Sequence, residues 1–330
     1  MTGHRIRPIF VLALVAASLV LVACPKKPKP QEKSLQDKIR PYQMGTQIQL
    51  GEYPSSTSHR STCSFGFYAR NDGSVYPQPQ GLVTAAHCTN MRLDGFGDLV
   101  VESGEPIWQS TPENSSVIAR VTYKARRYTW SDTLECPYDI DGRQVDYCLK
   151  ADAAYADFVN PDDDPDQVVG AVANVPLSTD ETLLKPVDTS ENGWHEQTGV
   201  FQEPVIGQML FKVGRSTGKT RGTVVEVTRE LPVGIESEYV VLLRLYRVVR
   251  EFGDEAPLVD GGDSGGPAMQ VMGSDTENEE GPFTLVGLVS AKLRGSEEVL
   301  FVEPVSDIQQ ELDIIPLPEG VGPAGSGGNL

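Results

Sequence analysis

Ser264 lies in the stretch Asp260-Gly261-Gly262-Asp263-Ser264-Gly265-Gly266-Pro267, one hydroxyl among four glycines and two carboxylates. Glycines at that density let a backbone take conformations that a Cβ forbids and approach a ligand closely. A short glycine-rich stretch is usually a flexible turn. This one can also aim the amides of Gly262 and Ser264 at a point beside the hydroxyl. A carbonyl bound there meets a nucleophile and two donors for its developing negative charge. A serine hydroxyl is a poor nucleophile at neutral pH, so the chemistry needs a base and a group to orient that base. Leu82-Val83-Thr84-Ala85-Ala86-His87-Cys88 is an apolar, strand-like run that delivers His87 at its end. An imidazole, with an ordinary pKa near ~6.5, suits a base that must later act as an acid. The other histidines serve poorly: His4 precedes an apolar run, His59 sits in a polar loop, and His195 follows Trp194 in a long connection. Without a clustered ligand spacing they also argue against a metallopeptidase.

Together the two stretches resemble the TAAHC and GDSGGP signatures of the chymotrypsin/trypsin-like serine endopeptidases, complete and in the family's order. The resemblance covers roughly residues 46–312. It implies an all-β fold of two packed six-stranded antiparallel β-barrels with a short C-terminal helix. It also implies hydrolysis of protein or peptide substrates through a covalent acyl-enzyme, for which no metal or organic cofactor is required. In the family order the orienting acid lies between histidine and serine. Ala151-Asp152-Ala153-Ala154-Tyr155-Ala156 resembles the family's aspartate entering a strand, with Asp146 and Asp157 as alternatives. Asp152 would accept a hydrogen bond from one ring nitrogen of His87 and leave the other facing Ser264. The amides of Gly262 and Ser264 would form the oxyanion hole.

The remaining site expectations concern support and specificity. Gly214-Arg215-Ser216-Thr217-Gly218-Lys219-Thr220 ends like a phosphate-cradling loop, but Val213 stands where that motif needs a glycine. The run instead resembles the G-R-x-T-G of bacterial secreted trypsin-like enzymes. In animal relatives a freed N-terminus pairs with the aspartate that Asp263 matches, and no IVGG-like start is visible here. A buried charge at Asp263 needs a partner, and Arg215 is the expected one. Ser290 resembles the serine that lines the primary pocket and supports the catalytic aspartate. Leu258 stands six residues before Ser264, where trypsins carry their pocket aspartate, and Ala291-Lys292 replaces a common Trp-Gly pair. Cleavage after Arg or Lys is therefore not supported. Lys292 either attracts an acidic side chain or points to solvent.

Certain elements must hold these residues in place. The first half offers strand-like runs at 46–53, 63–70, 81–86, 98–102, 116–125 and 153–159, enough for one closed antiparallel barrel. The second half offers 168–175, 208–213, 222–229, 239–249, 266–271, 283–291 and 299–302, then a short helix at 305–312. Between them, Asn160-Pro161-Asp162-Asp163-Asp164-Pro165-Asp166 lacks the glycine and downstream glutamate of the best-known calcium loop, and reads as a solvated loop near the barrel boundary at 160–167. His87 would come from the first barrel and Ser264 from the second.

Composition sets the compartment. A net charge of −18 and a pI near 4.6 disfavour nucleic-acid binding. Residues 1–24 carry a basic start, an apolar core from Ile9 to Val22, and Leu21-Val22-Ala23-Cys24, which looks like a bacterial lipobox. That reading makes Cys24 the lipidated first mature residue, anchored in membrane at the cell envelope. Without lipidation the signal is an ordinary secretory one. Residues 25–45, opening with Pro25-Lys26-Lys27-Pro28-Lys29-Pro30, read as a linker, 46–315 as the protease domain, and 316–330 as a disordered tail. Outside the cytoplasm Cys63, Cys88, Cys136 and Cys148 can oxidise, and sequence allows three pairings. The family resemblance favours Cys63–Cys88, which leaves Cys136–Cys148. Two other functions stay open: a protease-like module that binds without cutting, and an esterase using the same three residues. Gly262-Asp263-Ser264-Gly265-Gly266 also matches the GxSxG elbow of α/β-hydrolases, but not in a strand–turn–helix setting. Oligomeric state is left open.

Overall fold

A bend at Phe65-Gly66 decides how the first sheet curls. The computed structural model describes residues 33–317 apart from 38, 40–41, 52–60, 72–79, 90–91, 94–98, 101–103, 110–116, 134, 160–170, 178–186, 188–193, 199–202, 236–237, 252–253, 255 and 272–281. The first sheet has eight strands among the described residues, seven of them from the first half: β1 (Gln47–Leu50), β2 (Ser61–Ser64), β3 (Phe67–Asn71), β4 (Gln80–Ala85), β5 (Pro106–Gln109), β6 (Val117–Lys124) and β7 (Ala153–Phe158). They pair antiparallel in the order β2-β1-β5-β6-β7-β4-β3. Since β2 and β3 are two halves of one bent segment, the two ends of this seven-strand order meet in the same stretch of chain. Gly66 permits the bend. A Cβ there would lie 2.5 Å from the Val83 carbonyl oxygen and 2.6 Å from that of Gly265. Inside, Phe65, Tyr68 and Phe158 meet ring to ring at 4.8–6.4 Å, a large apolar payload for a small sheet.

The second half closes on itself. Its strands are β8 (Met209–Gly214), β9 (Gly218–Ile235), β10 (Glu238–Arg250), β11 (Pro267–Val271), β12 (Phe283–Lys292) and β13 (Val299–Pro304). They run antiparallel around the ring β8-β9-β10-β13-β12-β11 and back to β8. Leu210, Val224, Val248, Val286 and Leu300 fill it. Helix α1 (Val305–Leu312) buries Val305, Ile308 and Leu312, the three- and four-residue spacing of a single apolar stripe. After α1 the chain returns to the first sheet, where β14 (Ile314–Pro316) pairs with β3. The expected all-β architecture of two barrels with a short C-terminal helix is present.

Several boundaries differ from expectation. Of the run at 98–102 the described residues are Leu99–Val100, which pair with Arg92–Leu93 in a separate two-stranded sheet. The missing barrel strand is β5, whose leading proline occupies the one strand position that tolerates it. The run at 168–175 contributes Ala171–Ala173, paired with Trp194–Thr198 outside the ring. Residues 25–45 are not all linker, because Leu35, Ile39, Tyr42 and Met44 pack into the main core. The tail begins later than 316, since Leu317 is buried and its amide bonds the Tyr68 carbonyl at 2.8 Å. The signal segment and Cys24 lie outside the described residues, as does the acidic loop at 160–166. Among the described residues no helix is long and apolar enough to cross a membrane.

β9 is much longer than the run at 222–229, whereas β10 nearly matches the run at 239–249, and the two continue past the ring as an arm. Tyr147–Leu149 runs parallel to Val240–Leu242 on that arm, and Arg127–Tyr128 adds a further strand. Cys136 and Cys148 are bonded, and with Val145, Val241 and Leu243 they form a small core of their own. Asp152 follows three residues after this clamped strand.

Candidate active site

The turn that carries His87 is built by the end of β4. Ala86–Cys88 make one 3₁₀ turn, and Cys88 is bonded to Cys63 at the end of β2. Asp152 holds this turn twice: its carbonyl accepts from the Ala86 amide at 3.0 Å, and its Oδ1 accepts from the His87 amide at 2.9 Å. The other oxygen, Oδ2, contacts His87 Nδ1 directly. It also accepts a hydrogen bond from Ser290 Oγ at 3.0 Å. The carboxylate is 1% exposed and the His87 side chain 29%. Burial pulls the imidazole pKa down, but the charge and hydrogen bond of Asp152 outweigh it, and the net direction is up from 6.5. With Nδ1–H directed at Asp152, neutral His87 keeps Nε2 as an acceptor for a proton.

The two alternative acids are engaged elsewhere. Asp157 Oδ2 accepts from Thr122 Oγ1 at 2.7 Å, and Asp146 Oδ2 from the Tyr239 amide at 2.6 Å. His195 is a core residue, edge-on to Phe283 at 4.9 Å, and burial with nearby Lys219 pulls it down to about 4. His4 and His59 lie outside the described residues.

The Ser264 loop needs its glycines. Gly262 and Gly265 have φ of +97° and +82°, values that only glycine adopts freely. A Cβ on Gly265 would strike Thr84 Oγ1 and lie 2.7 Å from the Ser64 carbonyl oxygen and 3.0 Å from the Ala85 amide nitrogen. The residue after Ser264 therefore presses on the strand that ends at His87. Ser64 completes the dock. Its amide bonds the Ser264 carbonyl at 2.9 Å, and its hydroxyl bonds the Gly262 carbonyl at 2.9 Å. The neighbouring Cys63–Cys88 bond ties this docking point to the His87 turn. His87, Asp152 and the Ser264 loop are thus brought to one region by hydrogen bonds and close packing across both halves.

Asp263 is fully buried, and its partner corrects the expectation for Arg215. Lys212 Nζ lies 2.9 Å from Asp263 Oδ2, with both side chains buried. The carboxylate also accepts from Ser216 N at 2.8 Å, Thr217 N at 3.2 Å, Thr217 Oγ1 at 2.6 Å and Asp260 N at 3.0 Å. Arg215 instead lays its guanidinium over Gly262, where a Cβ would lie 2.6 Å from Nη1. Geometry explains the exchange, because Lys212 is inside the barrel on β8 whereas Arg215 is in the turn beyond it. Lys212→Met keeps most of the stem but strands a buried charge, and an expected loss of about 3–5 kcal/mol follows. Denaturant unfolding checks this; Arg215→Ala is expected to cost less than about 1 kcal/mol.

The expected pocket residues separate. Leu258 is 1% exposed and packs in the core of the second barrel, so it does not line a cleft. Lys292 bonds Asp260 Oδ1 at 2.7 Å and is partly exposed. That bond first, and the Gly261 amide second, hold the Asp260 carboxyl below its usual range. Sequence reading missed Glu303, whose two carboxyl oxygens each lie 2.6 Å from the Asp152 amide nitrogen. A charge closing the apolar run Val299-Leu300-Phe301-Val302 was the available signal. Lys212, between Phe211 and Val213, carried the same kind of signal.

No family model matches the chain, and neither does any curated protein sequence. Several solved structures are similar. Thermobifida fusca Protease A is 18% identical, with a TM-score of 0.46 over 84% of this chain and 98% of its own. A glutamic acid specific serine protease described as using a novel histidine triad in substrate binding is also 18% identical, with a TM-score of 0.47 over 84% and 100%. Cellulomonas bogoriensis chymotrypsin is 15% identical, with a TM-score of 0.43 over 84% and 98%. At these values the fold assignment rests on the strand pairing described above.

Proposed function

We propose that the chain is a serine endopeptidase. Ser264 attacks the peptide carbonyl, His87 takes the hydroxyl proton and returns it to the leaving amine, and Asp152 holds the imidazole in its working tautomer. The amides of Gly262 and Ser264 receive the oxyanion, and Ser290 and Asp263 support the arrangement. The observation that carries this reading is the buried Asp152 carboxylate against His87 Nδ1, on a turn bonded to the segment that docks the Ser264 loop. The same proposal includes export and a lipid on Cys24, and the two disulfides fit an oxidising compartment.

A fluorophosphonate tests the chemistry directly. Peptide mapping is expected to find the adduct on Ser264. The labelling rate is expected to rise with pH as His87 loses its proton, with a midpoint above 6.5 because the net shift of that imidazole is upward. A folded chain that takes no label, or takes it elsewhere, would be a binding module on a protease scaffold. If Ser264 is labelled but a peptide library is left uncut while simple esters are hydrolysed, the substrate class changes to esters.

A further inference from the structure

Glu303 closes the last strand of the ring, 1% exposed, directly behind Asp152. Both of its oxygens reach the same amide, that of Asp152, at 2.6 Å. A backbone N–H has one proton, so the carboxyl group retains an oxygen that must find another hydrogen-bond partner. The Ser290 hydroxyl, which donates to Asp152 Oδ2 at 3.0 Å, is the other polar group that acts on the Glu303 carboxyl. It too has one proton to give. A proton on Glu303 satisfies all three groups: the acid O–H donates to Ser290 Oγ, and Ser290 is left to donate to Asp152.

The surroundings keep that proton in place. Burial is the foremost cause, and the Asp152 charge the next, of a Glu303 pKa well above its ordinary value; together they outweigh the Asp152 amide and Ser290, which favour the ionised form. Asp307 on α1 adds a second negative neighbour; burial pushes it up to about 6 against its pairing with Arg244. Lys124 on β6, pulled down to about 8 chiefly by burial, acts on Asp152 and Glu105. The imidazole of His87 contacts Oδ2 of Asp152, the oxygen that also accepts from Ser290. Two carboxylates this close resist ionising together, and Asp152 is the one with three donors on its oxygens.

Resting on the hydrolase reading above, we propose that Glu303 is a positioning residue for the His87–Asp152 pair, its carboxyl group anchoring the Asp152 amide and turning the Ser290 hydroxyl toward the Asp152 carboxylate. It acts through Asp152 and Ser290. When Glu303 ionises, two anions compete for the Ser290 proton. A second negative charge then stands behind Asp152 and raises the His87 pKa further. Glu303→Gln keeps the neutral arrangement at every pH: its amide oxygen accepts from Asp152 and its NH₂ donates to Ser290.

The test compares the full chain with E303Q and E303A, reading the His87 ring by NMR titration and kcat and KM by peptide hydrolysis across pH. E303A is expected to lose about 10- to 100-fold in kcat, with KM within about twofold. E303Q is expected to stay within about threefold of the parent in kcat. The parent ring signal should show a second step at high pH, from Glu303, that E303Q lacks. Superimposable ring titrations in the parent and E303Q would overturn the proposal. So would an E303Q as impaired as E303A while both unfold cooperatively. If E303A does not fold, the ring titration of E303Q against the parent still decides. A parent that fails to hydrolyse peptides defeats the peptidase reading, whereas the ring titrations report on Glu303 without turnover.

Discussion

Ser264→Ala is expected to lower kcat for peptide hydrolysis by about 10⁶-fold while leaving the fold intact. The positive φ values in this loop belong to Gly262 and Gly265, and Ser264 needs no such conformation. Alanine therefore fits the same backbone, and the bond from the Ser64 amide to the residue-264 carbonyl survives. What is lost is the oxygen that attacks. His87→Ala should cost about as much, because an alcohol without a base is equally inert. Groups that act as one unit do not add, so the double variant is expected to be no slower than either single one. The measurement is kcat for all three proteins beside their circular dichroism. A double variant whose deficit is the product of the single deficits would show that Ser264 and His87 act separately, and the proposed mechanism would be wrong.

Asp152→Asn is expected to lower kcat by about 10⁴-fold. The Asp152 carboxylate receives three donors: the His87 amide, His87 Nδ1 and Ser290 Oγ. A carboxylate has two acceptor oxygens, whereas a carboxamide has one acceptor and an NH₂ group. In the asparagine variant at least one of the three must turn away. The cheapest adjustment is for the ring to move its proton to Nε2 and accept the NH₂ on Nδ1, which removes the base from the serine side. The His87 amide and the Ser290 hydroxyl still hold the side chain, so stability should change far less than rate. A thermal melt beside the kinetics separates the two effects. A variant with near-normal kcat would mean that the imidazole is oriented by something other than Asp152.

What sequence reading recovered and what it missed divide on a physical line. The Ser264 loop and the His87 turn are legible because their chemistry is packed into a few consecutive residues, with glycines that the backbone requires. Asp152 has no such local mark. One aspartate before Ala153-Ala154 is chosen over Asp146 and Asp157 only through family resemblance. Lys212 and Glu303 were harder still, since each is explained by a partner far along the chain: Asp263 lies 51 residues from Lys212, and the Asp152 amide 151 residues from Glu303. A charge inside an apolar strand run announces that a partner exists without naming it. Taking Arg215 as the partner of Asp263 is an error of this kind, since Lys212 makes that ion pair. The length of the β9–β10 arm was hidden for another reason. Pro232 and Gly234 interrupt residues 230–235, and both residue types argue against a strand in a sequence.

The pairing of β14 with β3 has a consequence for how the molecule comes into being. The first sheet recruits its outermost member from beyond the second barrel and α1, so a nascent chain lacks one border of that sheet until both halves have been made. Such distant pairing forms slowly compared with local pairing. Any truncation that removes Ile314–Pro316 would leave the β3 edge unguarded and open to aggregation.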